Sequence, residues 1–233
     1  MINNKRVLII VPAWNEAESI GEVVTEIRGE LPGTDVLVVD DGSADDTGAV
    51  ARNAGAIVAR LPYNLGVGGG MRLGYRYART EGYDVAVQLD ADGQHDPRYV
   101  PKLVDALQDA SLVIGARFAG EGGYQVHGPR RWAMGLLSLV LSAMAHTRLT
   151  DTTSGFRACD RSLIELFADW YPVDYLGDTV ETLVRVIRLR YRVRQVPVAM
   201  RRRFGGTPSH SPIKALIYLC RAFLILVLAL IRR

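Results

Sequence analysis

Apolar residues follow two rhythms along this chain. Residues 7–11, Val-Leu-Ile-Ile-Val, form an unbroken apolar run closed by Pro12, the pattern of a strand covered on both faces in a parallel sheet. From about residue 17 to 30 the spacing turns helical, with Ile20, Val23, Val24 and Ile27 on one face. The alternation then repeats. Strands are expected at 35–39, 57–61, 112–115 and in the run where Val85, Val87 and Leu89 alternate with smaller or polar residues; helices are expected at about 45–54, 71–80 and 97–107. Five strand-helix alternations predict an α/β fold, a doubly wound and mostly parallel sheet flanked by helices and open at one edge.

Beyond residue 117 the pattern changes. A glycine-rich stretch at 120–128 precedes Arg130, Arg131 and an apolar helix at 132–145, and a polar segment, 151–157, interrupts apolar surroundings. Helices at about 161–167 and 178–189 and a strand at 194–200 follow. The chain is thereby divided into a domain of residues 1–210 and a C-terminal helix at 211–233.

With 233 residues, 48% of them hydrophobic, a sizeable core is available. Cys159 and Cys220 stand far apart with no His or Cys at ligand spacing, which excludes a zinc site or a disulfide framework and fits a reducing compartment. The first residues run straight into a strand and show no secretion signal, so the cytoplasmic side is expected. Charge alters the picture more. From Arg185 onward there are eleven Arg, one Lys and no acid, a charge of +12; since the whole chain carries +3, residues 1–184 carry −9. This basic tail is also greasy, because residues 215–231 are apolar except for Arg221. A helix of that length spans about 25 Å, slightly less than a bilayer core. With Lys214, Arg221, Arg232 and Arg233 able to snorkel, a membrane anchor is expected, the other use of such a helix being oligomerisation. Nucleic acid is not expected as a partner, because no reading module accompanies the arginines.

Candidate chemistry gathers at strand ends, where α/β sheets keep their ligands. Asp90 and Asp92 lie one residue apart just past the fourth strand, in Gln-Leu-Asp-Ala-Asp-Gly-Gln-His. Two acids so close repel, and a divalent cation carrying a diphosphate would relieve them. An Asp-Gly turn is the plainer reading of the same residues. Asp40 and Asp41 close the second strand and are also ligand candidates, whereas Asp45 and Asp46 suit the first turn of the next helix. Asn64 to Gly70 is glycine-rich but lacks the lysine ending of a phosphate loop and the spacing of a dinucleotide fingerprint.

The ordered blocks Val-Pro-Ala-Trp-Asn-Glu, Val-Val-Asp-Asp-Gly-Ser, Asn-Leu-Gly-Val-Gly, Leu-Asp-Ala-Asp-Gly-Gln-His-Asp-Pro, Gly-Ala-Arg-Phe and Thr-Ser-Gly-Phe-Arg resemble the inverting family 2 glycosyltransferases with a GT-A fold, in a match that covers residues 7 to about 209. Within them the chain is most similar to the dolichyl-phosphate mannose and polyprenyl-phosphate sugar synthases. The resemblance implies a nucleotide-diphosphate-sugar donor (guanine- or uracil-linked), Mg²⁺ or Mn²⁺, and transfer with inversion. It implies that Pro12, Ala13, Trp14 and Glu16 line the nucleotide pocket with Asp40 or Asp41 on the base or ribose. Asp90, Ala91 and Asp92 would face the diphosphate, with Asp90, Asp92 and Gln94 at the metal. Arg117, Arg130 or Arg131, and Arg203 would meet phosphates of donor or acceptor.

The acceptor is decided by charge. A hydroxyl needs a carboxylate base, for which Asp178 and Glu181 stand where hydroxyl-transferring relatives place theirs; a helix cap is their structural alternative. A polyprenyl phosphate is already ionised and needs cations instead. The basic tail, Arg203 and the two apolar helices favour the lipid phosphate, with a lipid-linked glycan as the other acceptor. A non-catalytic nucleotide-sugar-binding scaffold is the reading from another class, and a homo-oligomer is compatible with all of these.

Overall fold

The structure, a computed structural model, describes residues 1–117, 129–172, 177–201, 203 and 204, with backbone alone at 129–134 and 177. Its strands are β1 (Val7–Ala13), β2 (Asp35–Asp40), β3 (Ile57–Arg60), β4 (Val85–Gln88), β5 (Leu112–Ala116), β6 (Arg157–Asp160) and β7 (Val193–Pro197). The helices are α1 (Ile20–Glu30), α2 (Thr47–Asn53), α3 (Val67–Thr80), α4 (Val100–Ala106), α5 (Pro129–Ala145), α6 (Arg161–Asp169) and α7 (Thr182–Arg188). All seven strands join one sheet in the order β3-β2-β1-β4-β6-β5-β7.

The unbroken apolar run of β1 does what it predicts. Val7, Ile9 and Val11 enter the core layer under α1, α2 and α4, while Leu8 and Ile10 enter the layer shared with α3 and α6. α3 lies so close that a Cβ added at Gly74 would stand 2.5 Å from Ile10 Cγ2, so only glycine lets the helix backbone reach β1.

Three elements differ from the pattern reading. The sheet is mixed, because β6 runs antiparallel between β4 and β5. Arg157-Ala158-Cys159-Asp160 shows neither an apolar run nor alternation, and its end residue is a helix cap: the Asp160 side chain accepts from Leu163 N–H at 3.1 Å, closing the strand and starting α6 together. α3 begins at Val67 rather than 71, since Gly68, Gly69 and Gly70 form its buried first turn although glycine disfavours helix. At α2 the N-cap residue, Asp46, makes no side-chain cap; Asp45 instead accepts from the Thr47 and Ala17 N–H groups at 3.0 and 3.1 Å. The glycine-rich stretch 120–128 and the C-terminal helix at 211–233 lie outside the described residues. Among the described residues no helix is long and apolar enough to cross a membrane.

Candidate active site

Two loops meet at the carboxyl ends of β1 and β4. Past β4, Leu89 and Ala91 turn into the core, and Asp90 and Asp92 are the residues interleaved with them. The Asp90 carboxylate is 41% exposed and that of Asp92 only 6%. Asp90 N–H donates to His95 Nδ1 at 3.1 Å, so neutral His95 carries its proton on Nε2, which lies 3.6 Å from the Asp90 carboxylate. The imidazole is buried and stacked on Phe156 at 4.9 Å. Asp92 Oδ1 accepts from Gln94 N–H at 3.0 Å, and its Oδ2 accepts from Arg203 Nε at 2.9 Å and lies 2.8 Å from Nη2 in an ion pair. Gly155 sits against Asp90, since a Cβ there would lie 3.2 Å from Asp90 Oδ1.

The β1 and β2 ends are stitched to each other. Asp41 N–H donates to Ala13 O, Asn15 N–H to Ser43 Oγ at 3.0 Å, Ala44 N–H to Asn15 Oδ1 at 2.8 Å and Glu16 N–H to Thr47 Oγ1 at 2.8 Å. Asn15 holds a left-handed backbone, φ 54°, which an Asn whose side chain bonds locally tolerates. Pro12 and Ala13 thus belong to β1 itself, and Trp14 stands 51% exposed at its mouth. Asp40 and Asp41 are both buried. Asp40 Oδ1 accepts from Ser43 N–H at 2.9 Å, while its buried Oδ2 has no hydrogen-bond partner among the described residues and lies 3.5 Å from Arg60 Nε. Asp41 accepts from Leu65 N–H at 2.7 Å, and burial raises its pKa. Burial also raises the Glu16 pKa, with the Asp92 charge adding to it and Ser19 and Arg203 opposing. Glu16, Asp92 and Arg203 therefore share one electrostatic neighbourhood.

A third group lies toward β5. Arg117 donates to Asp151 through Nε at 2.6 Å, Nη2 at 2.9 Å and its backbone N–H at 3.1 Å, and through Nη2 to Thr153 Oγ1 at 3.0 Å. Burial alone would raise the Asp151 pKa, but Arg117 outweighs it and holds the carboxyl below its ordinary value. Arg157, which is buried, donates to Ser154 O, Thr152 O, Thr179 O and Thr182 Oγ1 at 2.8–3.1 Å. It ties the 152–154 loop to the turn Gly177–Glu181 that carries Asp178 and Glu181. Asp178 is buried, and the N-cap position of α7 falls on Glu181 rather than on Asp178.

The model of the family "Glycosyl transferase family 2" matches residues 8–167. The chain belongs to that family. Relatives of this glycosyltransferase include an undecaprenyl-phosphate mannosyltransferase of Micrococcus luteus, 36% identical over 214 residues and 88% of each chain. A polyprenol monophosphomannose synthase of Mycolicibacterium smegmatis is 31% identical over 222 residues, 89% of this chain and 82% of that one. Among solved structures, a mycobacterial protein superposes with a TM-score of 0.72 at 24% identity, over 97% of this chain and 75% of its own. Glucosyl-3-phosphoglycerate synthase from Mycobacterium tuberculosis, in complex with Mn²⁺, UDP and phosphoglyceric acid, gives 0.65 at 22% identity, over 97% and 78%. These two likenesses concern the fold, and they bear out the GT-A expectation. The family membership makes the protein an enzyme, which leaves no need for the scaffold reading.

In this glycosyltransferase the described residues contain no group of three or more His, Cys, Asp or Glu placed to hold a metal. Asp90 and Asp92 nevertheless fit an ion that arrives with a substrate diphosphate, because Mg²⁺-type ions commonly take one or two carboxylates and complete their shell with phosphates and water. The sites proposed from sequence fall into two sets. Asp92, Glu16 and Arg203 come together, with Asp90 two residues away against His95 and Gly155; Arg117 is held in a separate pair with Asp151. The side chains of Arg130 and Arg131, in the first turn of α5, lie outside the described residues. Sequence reasoning gave no role to His95, Asp151 or Arg157, although all three stand in the quoted blocks or beside them. A His, an Asp and an Arg in polar segments beside apolar runs were the available signal.

Proposed function

We propose that this glycosyltransferase moves a sugar, with inversion, from a nucleotide-diphosphate-sugar to a polyprenyl phosphate, with Mg²⁺ or Mn²⁺ at Asp90 and Asp92, on the cytoplasmic face of a membrane. The observation that carries it is the meeting of Asp92 and Arg203 beside the exposed Asp90, which brings a cation-binding carboxylate and an anion-binding guanidinium to one strand end. The relatives named for undecaprenyl-phosphate and polyprenol substrates support the acceptor.

Bound metal supplies neutralisation of the charge that builds on the departing diphosphate. The protein's own residues do the rest. Arg203, within reach of Asp92, adds a fixed cation at the same place, and such preorganised charge is worth several kcal/mol of barrier. An oxygen of the acceptor phosphate forms the new bond to the anomeric carbon from the opposite face. The bond to the diphosphate breaks with its electron pair, and no proton has to move. Trp14 at the β1 mouth and the stitched loop beneath it would hold the nucleotide. The exposed Leu136 and Leu139 on α5, in a stretch free of charge from 132 to 145, suit an apolar membrane surface.

A hydroxyl acceptor is the second reading, favoured by the buried Asp178. Incubating the protein with undecaprenyl phosphate and a panel of nucleotide sugars tests the first. Formation of a lipid-phosphate glycoside with one donor supports it, and Asp178→Asn with Glu181→Gln should leave that transfer largely intact. Absence of product with every donor, or turnover that depends on those two acids, favours the hydroxyl.

A further inference from the structure

The end of the described chain is zipped onto the loop that carries the paired acids. Val198 N–H donates to Ala116 O, Met200 forms an antiparallel bridge with His95, Arg201 N–H donates to Gln94 O at 3.1 Å and Phe204 N–H to Asp92 O at 3.0 Å. This short strap follows the 92–95 turn backbone to backbone. Its side chains anchor it at both ends. Arg201 spans Asp96, at 2.6 Å, and Glu26 of α1. The Phe204 ring covers Gly93, whose φ is +76° and where a Cβ would stand 2.3 Å from the ring, so nothing but glycine fits beneath it.

Between those anchors Arg203 delivers Nε and Nη2 to one oxygen, Asp92 Oδ2, while Gln94 N–H takes Oδ1. The Asp92 side chain is only 6% exposed, and with Nε and Nη2 both at Oδ2 the guanidinium stands where a second cation would have to approach that oxygen. Two cations that need the same lone pairs of one carboxylate exclude each other by charge and by volume. In this state Arg203 occupies the place of the positive charge that Asp92 would give a metal.

We propose that the strap is a cation-exchange latch: Arg203 holds Asp92 in the empty enzyme, and a divalent ion with its diphosphate displaces it. The proposal rests on the assignment of Asp90 and Asp92 to the metal. Because Arg201 and Phe204 keep the strap in place, the displaced guanidinium stays beside the site and turns to phosphate oxygen. Metal affinity of the ligand-free protein is then reduced by the fraction of molecules that are latched.

The test is Mn²⁺ titration of the full chain by electron paramagnetic resonance, without sugar and with or without a nucleoside diphosphate. Arg203→Gln should bind Mn²⁺ about tenfold more tightly than wild type in the absence of nucleotide, because a charge-assisted contact has been removed from competition. Arg203→Lys, which keeps the competing charge, should stay near wild type. Unchanged or weaker binding by Arg203→Gln, with wild type still binding, overturns the latch and leaves the metal site standing. No Mn²⁺ binding by any of the three proteins, even with nucleoside diphosphate, overturns both. If Arg203→Gln does not fold, the Arg203 Nε–H resonance of wild type answers instead. It should shift on adding Mg²⁺ with nucleoside diphosphate, and an unmoved resonance rejects the exchange.

Discussion

Asp151→Asn tests whether the Arg117 pair is a supporting device of the fold. The Asp151 side chain is wholly buried and that of Arg117 only 19% exposed, so solvent does little to screen them. Three N–H groups of Arg117 converge on the carboxylate. Losing one partner of such a buried pair costs about 3–5 kcal/mol. Asparagine keeps one acceptor oxygen, which brings the expected loss to roughly 2–3 kcal/mol, since each charge-assisted bond contributes about 1.5–3 kcal/mol. For a chain of this size that lowers the melting temperature by about 4–12 °C. The assay is urea unfolding followed by circular dichroism from pH 7 down to pH 3. Arg117 holds the folded-state pKa of Asp151 below its ordinary value. Its stabilisation is therefore complete above the unfolded value of about 3.9 and is lost as pH falls further, through the lowered folded value. The gap between wild type and variant should be full at pH 7 and narrow below about pH 4. A gap under about 0.5 kcal/mol at pH 7, the range of ordinary surface changes, would refute the reasoning.

Two further outcomes follow from the same geometry. Gly74→Ala should destabilise by about 1–2 kcal/mol net in urea unfolding, because overpacking against the buried Ile10, at the upper end of about 1–3 kcal/mol for so close a contact, exceeds the roughly 1 kcal/mol by which alanine favours a helix. Adding a chelator should abolish sugar transfer, with Mn²⁺ or Mg²⁺ restoring it; transfer that continues in chelator would remove the metal from Asp90 and Asp92.

What could be read in the sequence was whatever its neighbours along the chain determine. The β1 run needs no partner to be recognised, and the turn from Asp90 to His95 is legible because its acids and glycine are adjacent. β6 was not legible, because four residues with a charge at each end look like a loop until β4 and β5 cover them. The helical start at Val67 was hidden by three glycines whose reason for being there is burial in the first turn of α3. Arg203 was legible as a cation at the site but not as the partner of Asp92, because the contact joins residues 111 positions apart.

The missed strand is also what unites the site. Because β6 enters antiparallel beside β4, with Arg157 opposite Gln88, the segment before it must arrive at the carboxyl end of β4. That brings Gly155 against Asp90 and Phe156 under His95, so the backing of the first acid comes from a segment about sixty residues downstream. The same arrival places Arg157 where it can bond the 152–154 loop and the Asp178 turn together. A parallel strand at that position would enter from the opposite end and carry its preceding loop away from the acids. The single antiparallel strand therefore couples the carboxylates proposed for the donor to the segment where an acceptor base or phosphate contact would stand.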